Sequence, residues 1–315
     1  MVTVLLPAYN AQETIGEAIL SVINQTYKDW ELIVINDGST DNTKGIVLSF
    51  KDARIKYYEN DSNRKLIYTL NRGLKLATGK YIARMDSDDI CLPARLEKQV
   101  NFLESHPEVI ICGTQIEYFG TKSSNYRKLS FPSEDKALKE LLAMSTCFAH
   151  PTVMIRRDSL MKSGCEYDMD YKNAEDYSLW IDLMGYGKYA NLEEKLLKYR
   201  VSDSQVSQPS NLITEASVLK CKYKYLKNCI NKNVADLLFK EQININIIKK
   251  IKTQTRNKKI IEACYLSLDQ YDLPVLLYYV CTLDIFKLGN NAFIRFMKRF
   301  IKGPSPIYYN TEYVK

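Results

Sequence analysis

Three carboxylates fall within four residues in the stretch ARMDSDDI, residues 83 to 90: Asp86, Asp88 and Asp89. They directly follow the apolar run Tyr81-Ile82-Ala83, which reads as a buried strand. Like charges this close repel one another unless a cation or hydrogen-bond donors offset them, and hard divalent ions such as Mg²⁺ and Mn²⁺ prefer oxygen ligands of this kind. The stretch is therefore expected to be a cation site, or half of one. A single aspartate after a strand is more often a turn former or a helix cap, but that explanation weakens for a cluster. A second acidic pair, Glu175 and Asp176 in AEDYSLW, opens a helix whose inward positions include Leu179, Trp180 and Leu183. Acids in a first helical turn also favour the macrodipole, so this pair has a structural as well as a chemical reading.

A metal held by one or two protein carboxylates usually completes its shell with water and substrate phosphates, so a metal-bound diphosphate is the expected ligand. Neither a GxxxxGK[ST] loop nor a GxGxxG fingerprint is present to make it a familiar nucleotide fold. Only two histidines exist, His106 and His150, and neither sits in a hydrolase-like motif.

The elements that must position these acids alternate between strand and helix signals. Residues 2–6 form an apolar run that ends at Pro7. A helix should follow, with Asn10 as N-cap, Glu13 as its capping-box partner, and Ile15, Ile19, Val22 and Ile23 on one face. A strand is expected over residues 30–35, then the turn NDGS and a short helix, and a third strand over residues 55–58. Residues 66–77 should form a helix with Leu66, Leu70, Leu74 and Ala77 inward and Gly79 just beyond its end. YIARM is then the strand that delivers the acids. Strand-helix-strand repeats of this kind imply a mostly parallel, doubly wound α/β sheet, whose ligands bind beyond the carboxyl ends of the strands. The loops at that edge read PAYN, NDGSTD and DSDD.

At 315 residues with 46% hydrophobic content, the chain can bury one large α/β core and a smaller appended unit. Its net charge of +7 is uneven, because residues 211–315 carry 18 Lys and Arg against 8 Asp and Glu. The composition shifts at the polar loop SQPSN, so two units are expected, residues 1–208 and a basic helical region over residues 209–315. The eight cysteines show no CxxC pair and read as reduced core thiols. The opening MVTVLLPAYN has no secretory pattern, and a cytoplasmic location is expected.

PAYN, VINDGSTDNT, ATGKYIARMDSDDI and NAEDYSLWIDL, in this order and spacing, resemble the inverting family 2 glycosyltransferases with the GT-A fold. The resemblance covers roughly residues 1–205 and implies a nucleotide-diphosphate-sugar donor, most simply a UDP-sugar. It implies that Pro7, Ala8 and Tyr9 line the base pocket and that Asp37 accepts a hydrogen bond from the base. Asp86 would contact the ribose or the metal, and Asp88 would ligate the Mg²⁺ or Mn²⁺ that bridges the phosphates, with Asp89 orienting the loop. Lys65, and beside it Arg64, would reach the pyrophosphate. Asp176 would be the general base that takes the acceptor hydroxyl proton, with Glu175 positioning the acceptor or loop. His150 in HPTVMIRR would lie near the acceptor or serve structure alone. The implied acceptor is a glycan or lipid-linked glycan, in bacterial surface polysaccharide synthesis. The chain departs from the family's pattern where many members have a further histidine ligand after a YR pair, because here Ser202 follows in YRVSDS. It also departs where members carry Arg-Asn, because Leu70 precedes Asn71.

Two other classes compete with this reading. One is a non-catalytic nucleotide-sugar-binding or assembly subunit, against which intact Asp86, Asp88 and Asp176 stand. The other is nucleic-acid binding by the basic tail, but its lysines are not interleaved with a recognisable RNA-binding motif, and no nucleic-acid partner is expected. Residues 290–302 set Phe293, Met297, Phe300 and Ile301 along one side, with Arg295, Lys298, Arg299 and Lys302 largely elsewhere. Such a helix suits either an anionic membrane surface, on the inner face of the cell membrane, or packing on protein.

Overall fold

The computed structural model describes residues 1–121, 130–143, 145–201 and 212–229. Within them the chain divides into two compact units. The first carries every described strand. The second includes the helix α8 (Leu212–Cys229). Ser202, the loop at residues 207–211 and the amphipathic segment 290–302 lie outside the described residues.

The first unit opens β1 (Val2–Ala8), α1 (Ile15–Ile23), β2 (Trp30–Asn36), α2 (Thr43–Ser49), β3 (Ile55–Glu59), α3 (Leu66–Leu76) and β4 (Tyr81–Arg84). It continues with β5 (Ile90–Cys91), α4 (Arg95–Ser105), β6 (Val109–Phe119), α5 (Asp135–Leu141), β7 (Met154–Arg156), α6 (Arg157–Ser163), α7 (Glu175–Leu183) and β8 (Lys188–Arg200). One eight-stranded sheet runs β3-β2-β1-β4-β7-β6-β8-β5. β3, β2, β1 and β4 are mutually parallel, whereas β7 enters antiparallel between β4 and β6. This is the mostly parallel α/β half expected from the repeats, extended by a mixed half.

Every residue of β1 and β2 is buried, as a parallel strand covered on both faces requires. Ile15, Ile19 and Val22 of α1, together with Leu96, Val100 and Leu103 of α4, join Val4, Leu6 and Val34 in one core cluster. On α3, Leu70 and Leu74 are buried while Leu66 is only partly so. Ile67 takes the buried place at that end of the helix. Gly79 follows from a close approach, since a Cβ there would meet the Thr3 backbone nitrogen at 2.6 Å. Among the described residues Cys91, Cys112, Cys147, Cys165 and Cys221 are free thiols, and all but Cys165 are buried.

The expected cap of α1 is a correction. The helix begins at Ile15 with Thr14 at its cap position and no side-chain cap bond, so Asn10 and Glu13 form no capping box. Asn10 sits at φ +47°, a left-handed conformation that asparagine tolerates. Its Oδ1 accepts the Thr40 N–H at 2.9 Å and its own N–H donates to Ser39 Oγ at 2.9 Å. The side chain joins two loops instead of starting a helix.

Glu31 ties the parallel strands together below the core. Its carboxylate accepts Thr3 Oγ1 at 2.5 Å, Thr78 Oγ1 at 2.7 Å and Lys56 Nζ at 2.5 Å. Burial pushes its pKa up, but these bonds outweigh that and hold it down from 4.5 to about 2. A carboxyl group depressed in the folded state stabilises the fold above its unfolded pKa, and the contribution is lost as pH falls through the folded value. A shift of this size is worth about 3 kcal/mol. We expect Glu31→Gln to lower stability at pH 7 by about that amount and to flatten the fall in stability between pH 4.5 and pH 2, measured by urea unfolding across that range. An acid limb as steep as in the native protein would contradict this role.

Candidate functional site

The three loops that follow β1, β2 and β4 meet at one edge of the sheet because those strands are parallel neighbours. Side chains stitch the first two together. Ser39 Oγ accepts the Asn10 N–H at 2.9 Å, and Asn42 N–H donates to Gln12 Oε1 at 3.0 Å. Gly38 sits at φ +69°, and a Cβ there would meet the Ser62 backbone at 2.7 Å, so the NDGS turn and the segment after β3 lie against each other. Asp37 makes that contact permanent. Its two oxygens accept Asn60 Nδ2 at 2.6 Å, Arg64 N–H at 2.8 Å and Lys65 N–H at 2.9 Å. Four lone-pair positions leave it room for one further donor.

Between these loops lies a cavity of about 570 Å³, lined by Gly38, Ser39, Glu59, Asn60, Asp61 and Ser62. Of Pro7, Ala8 and Tyr9, only Tyr9 is exposed, at 46%. The side chains of Arg64 and Lys65 are exposed, with the Arg64 guanidinium 4.6 Å from the Tyr68 ring centre.

The acid loop is held from both sides by arginines. Arg84, only 4% exposed at the end of β4, pairs through Nη1 with Asp86 Oδ2. Arg200, at the end of β8, donates its N–H to Asp89 Oδ1 at 2.9 Å and its Nε to the Asp88 carbonyl at 2.7 Å. One carboxylate oxygen from each of Asp86, Asp88 and Asp89 lies within 4.8 Å of the others. Burial, then the neighbouring Asp86 charge, pushes Asp88 up to about 6 and Asp89 well above the ordinary range. Asp89 Oδ2 is buried with no hydrogen-bond partner. An all-oxygen donor set, crowded until protons compete for it and with one orphaned oxygen, fits a hard divalent cation.

Glu175 and Asp176 open α7 as read from the sequence. Glu175 is 5% exposed, and burial followed by the adjacent Asp176 pushes it up to about 7. Asp176 is half-buried. Desolvation raises it, while the Tyr177 N–H, the Arg84 charge and Thr146 Oγ1 at 3.3 Å act in the other direction. His150 bonds through Nε2 to the Tyr167 hydroxyl at 2.9 Å. Burial, then Arg84, drives its pKa well below the ordinary value, so the imidazole is neutral. Asn71 clamps the segment that carries Tyr167, donating to its carbonyl at 2.7 Å and accepting its N–H at 2.9 Å.

The structure thus brings Asp86, Asp88 and Asp89 into one cluster and links Asp37 with the backbone of Lys65. Sequence reasoning assigned no role to Arg84, Arg200 or Tyr167. Arg84 had a visible signal, a cation inside a strand that is otherwise apolar.

A family model described as glycosyl transferase family 2 matches residues 3–164. An uncharacterized glycosyltransferase of Haemophilus influenzae is 34% identical over 98% of both chains. The Escherichia coli UDP-Glc:alpha-D-GlcNAc-diphosphoundecaprenol beta-1,3-glucosyltransferase WfgD is 31% identical over 66% of this chain and 79% of its own. Among solved structures, Staphylococcus aureus TarS with UDP-GlcNAc superposes with a TM-score of 0.60 at 17% identity, over 98% of this chain and 93% of that one. The mannosyltransferase PcManGT of Pyrobaculum calidifontis, with GDP-Man and Mn²⁺, gives 0.54 at 17% identity, over 95% and 84%. The fold is that of the GT-A glycosyltransferases, and the chain belongs to glycosyl transferase family 2.

Proposed function

We propose that this glycosyltransferase moves a sugar from a nucleotide-diphosphate donor, a UDP-sugar, to a hydroxyl of a lipid-linked glycan, with inversion at the anomeric carbon. The transferase domain is assigned to residues 1–208. The observation that carries the reading is the crowded acid loop at the end of β4, on the sheet edge where a parallel α/β sheet binds its ligands. Support for the donor comes from WfgD, whose name specifies UDP-Glc and a diphosphoundecaprenol acceptor, and from TarS, solved with UDP-GlcNAc. PcManGT with Mn²⁺ supports the cation.

In this reading Asp88 and Asp86 would hold Mg²⁺ or Mn²⁺, whose charge would offset that of the leaving diphosphate. Tyr9, exposed at the end of β1, would offer its aromatic face to the nucleobase. Asp176, half-buried and bonded to Thr146, takes the acceptor proton. Glu175, buried and pushed up to about 7, is shifted toward the protonated form, which suits a hydrogen-bond donor that orients the acceptor. A location on the inner membrane surface is proposed from residues 290–302, outside the described chain.

The cation assignment has a direct consequence. Asp88→Ala should abolish transfer and the Mn²⁺-dependent part of the thermal shift induced by UDP-sugars, while leaving the ligand-free melting temperature near native. Full transfer by the native enzyme in EDTA would remove the metal from the reading.

Asp176 separates chemistry from helix structure. A general base contributes about 10²- to 10⁴-fold in rate, whereas an acid in a helix's first turn is worth roughly 0.3 to 1 kcal/mol of stability. Asp176→Asn should melt close to native, bind UDP normally and transfer sugar about a hundredfold or more slower at saturating substrates. Glu175→Gln should be milder. A dead Glu175→Gln beside a near-native Asp176→Asn would reverse the two roles.

A further inference from the structure

Asn71 makes two hydrogen bonds to one residue 96 positions away. Its Nδ2 donates to the Tyr167 carbonyl at 2.7 Å, and its Oδ1 accepts the Tyr167 N–H at 2.9 Å. Only a carboxamide offers a donor and an acceptor side by side without a charge, so Asn71 meets both backbone groups of Tyr167 as a strand neighbour does. The Tyr167 side chain adds a third fixing point. It is 2% exposed, and its hydroxyl lies 2.9 Å from His150 Nε2.

Tyr167 belongs to the segment between α6 and α7. Left-handed residues bound that segment, Gly164 at φ +66° and Asn173 at φ +62°. Residues 164–169 wall a cavity of about 490 Å³ with Asn71 and Asp182, so on that side the segment faces open space instead of packed side chains. From Tyr167 the chain runs into α7 by consecutive turns. The Tyr171 N–H donates to the Asp168 carbonyl at 3.2 Å, the Ala174 N–H to the Tyr171 carbonyl at 3.0 Å, and the Ser178 N–H to the Ala174 carbonyl at 3.0 Å. Ala174 is the cap residue of α7, the helix that Glu175 and Asp176 open. A displaced Tyr167 therefore displaces the start of that helix.

The helix that carries Asn71 is itself fixed on the donor side. Lys65, the cap residue of α3, donates its N–H to Asp37 Oδ2 at 2.9 Å. Two residues beyond Asn71, Gly73 lies so close to β1 that a Cβ there would collide with the Leu5 side chain.

We propose that Asn71 is a positioning residue for the transfer reaction: through the backbone of Tyr167, its carboxamide holds the acid pair at the start of α7 in a fixed place relative to the donor loops. The inference rests on the functional reading above for what Asp176 does, but not for the mechanical link from α3 to α7.

Hydrogen exchange of the full-length protein, read by mass spectrometry, tests that link without turnover. Asn71→Ala removes both bonds, whereas Asn71→Asp keeps the acceptor oxygen but sets a carboxylate against the Tyr167 carbonyl. In both, peptides covering residues 164–178 should exchange about tenfold or more faster than native, while peptides from β1, β2 and β4 keep native protection. UDP with millimolar Mn²⁺ should raise the melting temperature as it does in the native protein. UDP release from UDP-Glc or UDP-GlcNAc, whichever the native enzyme turns over, should fall about tenfold or more in kcat with KM near native. Tyr167→Phe keeps the backbone pair and should stay closer to native in both readouts. If Asn71→Asp fails to fold, Asn71→Ala carries the test. Native exchange over residues 164–178 in Asn71→Ala would overturn the proposal, as would faster exchange with native kcat, which marks a structural clamp only. A UDP shift lost in the variants alone would also overturn it, by placing Asn71 in donor binding. If exchange and kcat change as expected while Asp176→Asn transfers sugar at the native rate, the link stands and the base assignment falls.

Discussion

The organisation of this protein turns on carboxylate crowding at the carboxyl end of a parallel sheet. Asp86, Asp88 and Asp89 occupy one loop, and Glu175 and Asp176 stand side by side at the start of α7. In water such a set would disperse. Here Arg84 from the core side and Arg200 from the far end of β8 hold the loop in one conformation. The compensation is incomplete, since burial and the crowded charges still push Asp88 and Asp89 above the ordinary carboxylate range and an oxygen of Asp89 has no partner. A site left short of positive charge in the free protein suits the cation proposed for it.

The neighbouring loops are fixed in a different way. The loops after β1, β2 and β3 are bound to one another by their own side chains: Asn10 to Ser39 and Thr40, Gln12 to Asp41 and Asn42, Asp37 to Asn60 and the backbone of Arg64 and Lys65. Internal bonds of this kind fix the walls of the cavity, so the donor proposed for it would lose less ordering entropy on binding. Asn71 extends the same rigidity, because its amide pairs with the backbone of Tyr167, 96 residues away. Tyr167 in turn bonds His150, whose ring packs against Trp180 of α7, so α3 and α7 are joined through these side chains.

Much of this was legible in the sequence. The apolar runs at residues 2–6 and 30–35 read as strands, and the parallel repeat placed their following loops at one edge. The acids then identified the edge that matters. What could not be read were long-range uses of single side chains. Asn10 has the spacing of a helix cap, yet its amide serves a loop 30 residues on. Asp37 reads as a ligand contact, while three internal donors already occupy it. Arg200 meets Asp88 across 112 residues, and no local pattern encodes that. Arg84 was visible as a cation in an apolar strand, but its burial against Asp86 was not.

The central claim is that a nucleotide diphosphate is held through a divalent cation on the β4 loop. Anomalous scattering from Mn²⁺ in crystals grown with UDP tests it most directly. The account predicts a manganese peak within coordination distance of carboxylate oxygens of Asp86 or Asp88 and of the diphosphate. UDP bound at the strand ends with no manganese at this loop, at millimolar Mn²⁺, would contradict it.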